Sequence, residues 1–225
     1  MFESLDLVWA IRRLSLAFLP LALGIIVHEV AHGWMAARRG DLTATMEGRI
    51  TLNPVKHVDP AGLFVFVFTS LFAPFAFGWA KPVPVDYRNL RNPLKDMMLI
   101  SAAGPLSNFL VAIGFALALH AFLILFPGQD WRGSGVWLFF RAMLEMGVGI
   151  NCTLAWLNLI PLPPMDGSKI VMGFLPRHWV LPYMRLERYG TVILILLLVS
   201  GFLGRILFPL ALMSRDFIFL ITGLI

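Results

Sequence analysis

The sequence predicts an all-α polytopic membrane protein with about five or six transmembrane helices and a re-entrant or short β element after the first. Two observations are compositional: 59% of the 225 residues are hydrophobic and 14% are charged, whereas soluble domains are nearer to half apolar and a quarter charged. The third is that apolar runs long enough to cross a bilayer recur along the chain. Since no polar linker divides these runs, we expect one membrane-embedded domain over residues 1–225.

The first predicted span covers residues 14–37. Two arginines precede it, but no small-residue cleavage site follows it, so we expect the span to be retained rather than removed as a signal peptide. The next apolar run, residues 64–79, is interrupted by a Thr-Ser pair and by a proline. These interruptions favour a re-entrant element over a straight crossing.

Three later spans are predicted from the lengths of the remaining apolar runs. They cover residues 97–126, 136–160 and 189–213. Residues 206–225 would form a further span if an Arg-Asp pair at residues 215–216 were accommodated within it.

The polar stretches at residues 40–59 and 80–95 are punctuated by Pro and Asn, and are predicted to be loops or short strands. Prolines alternate with valines within residues 81–85. Because proline lacks the amide donor, this stretch cannot be a central strand but could be an edge strand.

The chemistry is predicted by the sequence His28-Glu29-Val30-Ala31-His32 within the first span. Two histidines four residues apart share one face of a helix, so both rings can reach one metal ion. A glutamate beside the first histidine is placed to take a proton from water next to such an ion. Ionisable residues inside a span are costly and functional by default. The pattern therefore predicts a hydrolytic metal site inside the membrane, and the alternative is a polar cluster that binds another helix.

A catalytic zinc needs a third protein ligand and an open position. The candidates are Asp166, His57, Asp59 and Glu145. Asp166 has the most favourable context, because it follows three prolines at the end of the 136–160 span. Irregular backbone at membrane depth is tolerated only where it is buried or lines a wet cavity. Asp166 could also cap the helix that follows it.

The other candidates have simpler explanations. Glu145 lies four residues after Arg141, which favours an ion pair between them. Asp59 and His57 lie in a segment that two Xaa-Pro turns punctuate, so loop architecture is one interpretation. A substrate or gating role for His57 is the other.

Small residues open the 97–126 span and lead to Asn108. Small side chains let helices approach closely in a membrane, and Pro105 is expected to kink or start the helix. An asparagine facing lipid would be expensive, so we expect Asn108 to face a partner inside the protein.

The metal hypothesis constrains the topology. For the histidines and Asp166 to meet one ion, the 14–37 and 136–160 spans must run parallel. Because the 97–126 span crosses once between them, the 64–79 segment cannot make a net crossing. Twelve basic residues then lie on the catalytic side and four on the other, which places the catalytic side in the cytoplasm. The twelve are Arg38, Arg39, Arg49, Lys56, Lys81, Arg88, Arg91, Lys95, Lys169, Arg177, Arg185 and Arg188, and the four are Arg12, Arg13, Arg132 and Arg141.

Charge and cysteine content exclude other classes. The net charge of +5 is explained by basic cytoplasmic loops, since no basic patch carries the interleaved aromatics of a nucleic-acid-binding protein. A single cysteine, Cys152, excludes an internal disulfide and a thiolate-rich metal site.

Together these motifs resemble the site-2 protease family of intramembrane zinc metalloproteases, in its compact bacterial form without a PDZ or CBS domain. The matching pieces are the His28–His32 motif, Gly-Pro-Leu-Ser-Asn at residues 104–108, and Asn158 through the Asp-Gly pair at residues 166–167. The loops at residues 48–54 and 78–84 match as well. The resemblance covers a catalytic core of about residues 14–176 and leaves additional C-terminal helices at about residues 177–225.

The resemblance implies that His28, His32 and Asp166 bind one zinc ion and that Glu29 is the general base and acid. It implies that Asn158 positions the scissile carbonyl or stabilises its oxyanion, and that Asn108 is a second polar group near the substrate. The catalytic role in each case is an expectation from the family.

The implied partners are the lipid bilayer of the inner membrane and a transmembrane helix of a substrate. Such substrates include anti-sigma factors, membrane-bound transcription factors and remnant signal peptides, and the substrate is expected to unwind and pair with an edge strand. Two other hypotheses are a metal-ion transporter using the same His and Asp cluster, and an inactive protease-like scaffold. The oligomeric state is not predicted.

Overall fold

Every regular element in the described part of the chain is helical. The computed structural model describes residues 7–72, 78–127 and 135–225. Short 3-10 turns occur at Pro54–Lys56 and Tyr87–Asn89. The helices are α1 Leu7–Arg39, α2 Thr43–Met46, α3 Pro60–Phe72, α4 Pro93–Leu125, α5 Gly135–Asn158, α6 Asp166–Met172, α7 Arg177–Met184, α8 Glu187–Val199 and α9 Phe202–Ile221.

Three of these helices are long and apolar enough to cross a membrane, namely α1, α4 and α5. The α8 and α9 pair passes the same test only when its two helices are taken together, which raises the number of candidate spans to four. The all-helical membrane fold is therefore confirmed, whereas five or six spans are not. The predicted β element is not confirmed either, because no strand lies in the described ranges.

Contacts between the long helices define their directions. Positions 24, 28 and 32 of α1 meet positions 108, 104 and 100 of α4, so these two helices are antiparallel. Phe115 contacts Gly147 while Asn108 bonds Asn151, so α4 and α5 are also antiparallel. It follows that α1 and α5 run parallel, as the metal hypothesis required.

The described helix after the first span, α3, is shorter than a crossing. Helix α3 has 13 residues, which is about 20 Å of helix against a hydrocarbon core of about 30 Å. The proline that interrupts the predicted 64–79 run lies within residues 73–77, outside the described ranges. Residues 78–86 form neither a helix nor a strand, and the 3-10 turn Tyr87–Asn89 follows them. Prolines at positions 82 and 84 favour an extended backbone in this stretch, and we call residues 78–86 the extended segment.

The predicted fifth span, residues 189–213, is wrong as a continuous helix. Helices α8 and α9 are bent by 78° at Ser200 and Gly201. Gly201 has a φ of +73°, a left-handed conformation that favours glycine over all other residues. Hydropathy alone does not detect this break, because both flanking segments are rich in leucine. Helix α9 continues through residues 215–216, where Arg215 donates to Asp216 at 2.7 Å.

An apolar core joins α4, α5 and α9. The buried residues at its centre include Ala112 and Phe115 of α4, Val148 and Cys152 of α5 and Ala211 of α9. Cys152 is a free, buried cysteine and behaves as a small core residue. The core fixes α5 against α4 and so determines where the chain leaves α5.

Substitution of two glycines on α5 tests this packing. A Cβ atom on Gly147 would lie 2.6 Å from the ring of Phe115, whereas a Cβ atom on Gly149 would have no neighbour within 4 Å. We expect Gly147→Ala to destabilise the fold by about 1–3 kcal/mol, the usual cost of overpacking. Gly149→Ala should be neutral or stabilising, since alanine favours helix. Unfolding of both variants in the same detergent measures the difference, and equal stability would contradict the α4–α5 packing.

Candidate metal centre

The histidine pair is positioned by a glycine on the neighbouring helix. His28 and His32 lie on one face of α1 and point at α4. A Cβ atom on Gly104 of α4 would lie 2.5 Å from Cε1 of each ring. Only glycine therefore leaves room for both imidazoles, which gives a specific cause for the predicted close approach of small residues in this span.

Asp166 reaches the histidines because the chain turns sharply after α5. A Cβ atom on Gly167 would lie 2.3 Å from the carbonyl oxygen of Leu159, so this turn also needs a glycine. Asp166 is the first residue of α6, and its Oδ2 lies 3.1 Å from His28 Nε2 and 3.2 Å from His32 Nε2. The residue preceding the helix is Met165, so Asp166 does not occupy the capping position.

The outer nitrogen of each imidazole is already engaged. His28 Nδ1 lies 2.8 Å from Asn108 Oδ1, and His32 Nδ1 lies 2.8 Å from the carbonyl oxygen of Ile100. A carbonyl oxygen can only accept, so each Nδ1 carries the proton and each Nε2 presents a lone pair. The two Nε2 atoms face each other at 2.9 Å, beside the Asp166 carboxylate.

These three groups suit a zinc ion. Three electron-pair donors that converge in a buried place repel one another unless a cation lies between them. For tetrahedral zinc, ligand atoms at 2.0–2.1 Å from the ion are separated by about 3.3 Å, and the distances here are 2.9, 3.1 and 3.2 Å. Two imidazoles and one carboxylate leave a fourth position open, as in catalytic zinc sites.

A buried polar network supports the ligands from behind. The amide of Asn108 donates to the carbonyl oxygen of Gly24 at 3.0 Å and to Asn151 Oδ1 at 3.2 Å. Asn151 donates in turn to the carbonyl oxygen of Gly147 at 2.9 Å. Both asparagines are fully buried. Asn108 thus faces a partner as expected, and that partner is His28, whereas its predicted contact with substrate stays a prediction.

Asn151 was missed in the sequence interpretation. The signal that identified Asn108, an amide side chain inside an apolar span, was equally present for Asn151. Gly24 faces the same network, since a Cβ atom there would lie 2.3 Å from Asn151 Oδ1.

Glu29 lies beside the histidines and is held by the extended segment after α3. Its Oε2 accepts a hydrogen bond from the backbone amide of Val83 at 2.8 Å. Among the described residues, no hydrogen bond uses its other carboxylate oxygen. One oxygen of Glu29 is therefore anchored and the other is available for proton transfer.

Arg49 and His57 hold the same extended segment in place. The guanidinium of Arg49 is buried and donates to the carbonyl oxygens of Lys81 and Pro82 at 2.8 and 3.2 Å. The amide of Lys81 donates to the carbonyl oxygen of His57 at 2.9 Å. The predicted edge strand is thus an extended segment bonded to side chains and loops rather than to another strand.

Asp41 fixes the far end of this segment. Its carboxylate accepts hydrogen bonds from the amide of Asp86 at 2.7 Å, from Asn89 at 2.9 Å and from Thr43. Burial raises the pKa of the Asp41 carboxyl, but these hydrogen bonds outweigh burial and hold the pKa below its ordinary value of 3.8. The sequence interpretation missed Asp41 because two of its partners, Asp86 and Asn89, lie more than 40 residues away.

The remaining candidates lie outside the metal cluster, which within the described residues consists of His28, His32 and Asp166. Glu145 pairs with Arg141 at 2.8 Å, as predicted. Asp59 accepts from the amide of Gly62 at 2.9 Å and so begins α3.

Two further predicted site residues have contacts of their own. His57 is buried, and its Nε2 lies 2.7 Å from the carbonyl oxygen of Thr51. Asn158 donates to the carbonyl oxygen of Leu154 at 3.0 Å, one turn earlier in α5. The catalytic roles of both residues stay predictions.

Comparison with known proteins decides the family. YwhC of Bacillus subtilis, named as a proposed zinc metalloprotease, is 35% identical over 204 residues, which cover 88% of this chain and 86% of YwhC. The chain belongs to the site-2 protease family. As a member of the family it is a metalloprotease of the zinc class, and His28, His32 and Asp166 form the cluster that fits one zinc ion.

More distant relatives agree. Rip2 of Mycolicibacterium smegmatis, also named as a proposed zinc metalloprotease, is 26% identical over 87% of this chain and 71% of its own length. Stage IV sporulation protein FB of Bacillus subtilis is 25% identical over 76% of this chain and 54% of its own length. No family model matches this member of the family, and no solved structure matches it.

Replacing Asn108 should weaken zinc binding. Partners that orient a metal-bound histidine typically contribute a factor of about 10–100 in affinity, so we expect Asn108→Ala to lower zinc affinity by that amount. Asn108→Asp keeps an oxygen for His28 Nδ1 and should restore part of the loss. Ser107→Ala is the control, since the Ser107 hydroxyl bonds only within its own helix. Competition with a chelator measures the affinities, and equal values for Asn108→Ala and Ser107→Ala would contradict the arrangement.

Replacing Asp41 should release the extended segment. Asp41→Asn turns an acceptor at the Asp86 amide into a donor. Because this leaves the amide unpaired, we expect the free energy of unfolding to fall by about 1–3 kcal/mol. Arg88→Ala, which breaks only the exposed pair with Asp86, should cost little. Limited proteolysis within residues 80–90 compares the two variants, and equal cleavage rates would contradict the anchoring role.

Acid should have the same effect on the wild type. Because the folded pKa of Asp41 lies below 3.8, its contribution to stability is fully present above that value and is lost as the pH falls through the lower folded pKa. Protection of residues 80–90 from an acid-active protease should therefore be constant from neutral pH to about pH 5 and then decline. Loss of protection at higher pH would contradict this assignment.

Proposed function

We propose that the protein is an intramembrane zinc metalloprotease that hydrolyses peptide bonds within or near the transmembrane segments of other membrane proteins. The observation that carries the proposal is the convergence of three electron-pair donors, two of them with Glu29 on an apolar helix long enough to span a bilayer and the third on α6. Such cleavage would serve regulated intramembrane proteolysis or the clearance of remnant signal peptides. The proposed catalytic domain is residues 1–225, with its core at about residues 14–176.

The zinc would be held by His28, His32 and Asp166. When bound, the ion supplies Lewis-acid polarisation of a water molecule and of the scissile carbonyl. His28 and His32 can hold this position without reorganisation, because Asn108 and Ile100 already fix both rings. The buried network behind them excludes lipid and water from that side.

Glu29 is proposed as the general base and acid. Its free carboxylate oxygen takes the proton of the attacking water, and the same carboxyl then gives that proton to the leaving amine. The hydrogen bond from Val83 keeps the carboxylate aimed at the site through both transfers. The same contact brings residues 81–85, the stretch predicted as an edge strand, next to the proposed proton-transfer group.

Asn158 is proposed to bind the scissile carbonyl or its oxyanion. Its amide now donates to the carbonyl oxygen of Leu154, so this role requires the side chain to rotate when substrate binds. Asn108 is the second polar group that the family resemblance places near the substrate, and its contacts support an action through His28.

The substrate must be locally unwound, because the amides of an intact transmembrane helix are hydrogen-bonded within the helix. Helix-breaking residues in the substrate would favour cleavage. The basic residues of the loops around the site support a location at the cytoplasmic side of the inner membrane.

Glu29→Gln separates proteolysis from metal binding. We expect the variant to keep its zinc, since all three ligands remain, and to lose cleavage by at least about 100-fold, the lower range for general base catalysis. Glu47→Gln is the control, since Glu47 is an exposed acid that directly follows α2. A membrane-spanning reporter with a central helix-breaking pair, together with metal analysis, measures both properties.

Retained cleavage by Glu29→Gln would contradict the mechanism. Metal flux across vesicles that is unaffected by Glu29→Gln, with no cleavage by wild type, would instead favour the transporter. Zinc binding without cleavage or flux would favour the inactive scaffold. Fragments that accumulate in cells with Glu29→Gln would identify the natural substrates.

A further inference from the structure

An apolar groove of about 160 Å³ lies between α1 and α3. We call it the α1–α3 groove, and its lining includes Ala22 and Ile25 of α1, Leu63 and Phe66 of α3, and Trp79 of the extended segment. The groove takes no part in the proposed zinc site, and neither the family resemblance nor the relatives assign it a role. Its surface is almost entirely hydrocarbon and ring carbon.

Both walls of the α1–α3 groove lead to the proposed general base. On α1, Ile25 lies one helical turn before Glu29 and on the same face. On the other wall, Trp79 and Ala80 continue directly into the segment whose Val83 amide bonds Glu29. An object in the groove therefore lies next to the residues that act on the scissile bond.

One lining residue has an unused polar atom. His57 is 1% exposed, and its Nδ1 has no hydrogen-bond partner within the described part of the chain. Its Nε2 faces the carbonyl oxygen of Thr51 at 2.7 Å and so carries the proton, which leaves a lone pair on Nδ1. A buried acceptor without a donor is costly and calls for an explanation. Asp59, which also lines the groove, is already used by the amide of Gly62.

The size of the groove limits its occupant. An apolar cavity of about 150 Å³ binds a molecule the size of benzene, so a volume of about 160 Å³ accepts one phenylalanine- or leucine-sized side chain rather than a helix. A lipid acyl chain would also fit the apolar lining. It offers no hydrogen-bond donor to His57, whereas a polypeptide that has left its helical conformation offers unpaired backbone amides.

We propose that the α1–α3 groove is the subsite for one bulky apolar side chain of the substrate, and that His57 Nδ1 accepts a hydrogen bond from a substrate backbone amide beside that side chain. Because Nδ1 is shielded in this structure, the imidazole must turn toward the groove to make this bond. This inference rests on the proposed proteolytic function and adds a specificity determinant to it. His57 is a positioning residue for the substrate and does not take part in proton transfer. The locally unwound state that cleavage requires is the state in which the substrate amide becomes free.

Filling or enlarging the groove tests the subsite. The probes are synthetic membrane peptides with Leu and Ala flanks, a central Asn-Gly pair and one variable residue, scanned through each position around that pair. We expect Ala22→Phe to lower kcat/KM at least 10-fold for peptides with Phe or Leu at one position, and little for Ala at that position. Ala118→Phe, at an exposed position of α4, is the matched control. Phe66→Ala enlarges the groove and should shift the preference at the same peptide position towards Trp. This is a gain of activity, so it tests the subsite even if Ala22→Phe proves unstable.

Removing the acceptor tests His57. Peptides in which one backbone amide is replaced by an ester lack the donor, and we expect one ester position to lower kcat/KM by about 3–10-fold with wild type. His57→Leu should lower kcat/KM for the amide peptide by a similar factor. For the ester peptide, His57→Leu and wild type should have the same kcat/KM, since both changes remove the same hydrogen bond. If His57 had a merely structural role, His57→Leu would lower kcat/KM equally for both peptides, and this result would overturn this part of the inference.

Cross-linking separates failure of the subsite from failure of proteolysis. In Glu29→Gln, a photo-reactive residue at Leu63 should capture the peptide, whereas one at Leu117, exposed on α4, should not. Capture at Leu63 without cleavage by wild type would contradict the proposed proteolytic function but would still support peptide binding in the groove. Cleavage without side-chain preference, or capture of lipid alone at Leu63, would overturn the subsite.

Discussion

The mutual repulsion of three electron-pair donors is the constraint on which this structure depends. Two imidazole nitrogens and a carboxylate oxygen lie within 3.2 Å of one another, and both imidazole protons are committed elsewhere. A metal cation placed between the three atoms relieves this repulsion. The glycine beside the rings, the antiparallel placement of α4 and the sharp turn after α5 all serve to bring these three groups together.

Polar groups in the membrane are used economically. The asparagines of α4 and α5 bond each other, the backbone of α1 and one metal ligand, so that each buried amide both satisfies a neighbour and fixes a helix. The extended segment after α3 is held in the same way by Arg49 and Asp41. Because these contacts connect the loop to Glu29, the position of the Glu29 carboxylate depends on residues far from it in sequence.

Local patterns predicted the long helices and the residues of the candidate metal cluster, because both depend on residue type and spacing. Helices α4 and α5 begin and end within four residues of the predicted bounds. Helix α4 begins at a proline, and α5 ends three residues before one. The parallel direction of α1 and α5 followed from requiring His28 and Asp166 to meet. The bend at Gly201 and the partners of Asp41 could not be predicted, since one depends on a backbone angle and the other on contacts between distant loops.

The turn that delivers Asp166 has a consequence for the whole chain. The members of the candidate cluster on α1 and α6 are more than 130 positions apart, so one ion bound there would close a loop that includes two of the three long helices. Closing so long a loop removes much of the conformational freedom of the separated state, as a disulfide does in a secreted protein. With a single buried cysteine, this chain has no such bond of its own. An ion held by the cluster would therefore be its internal cross-link, and the atom proposed to serve hydrolysis would also fasten the helices around it.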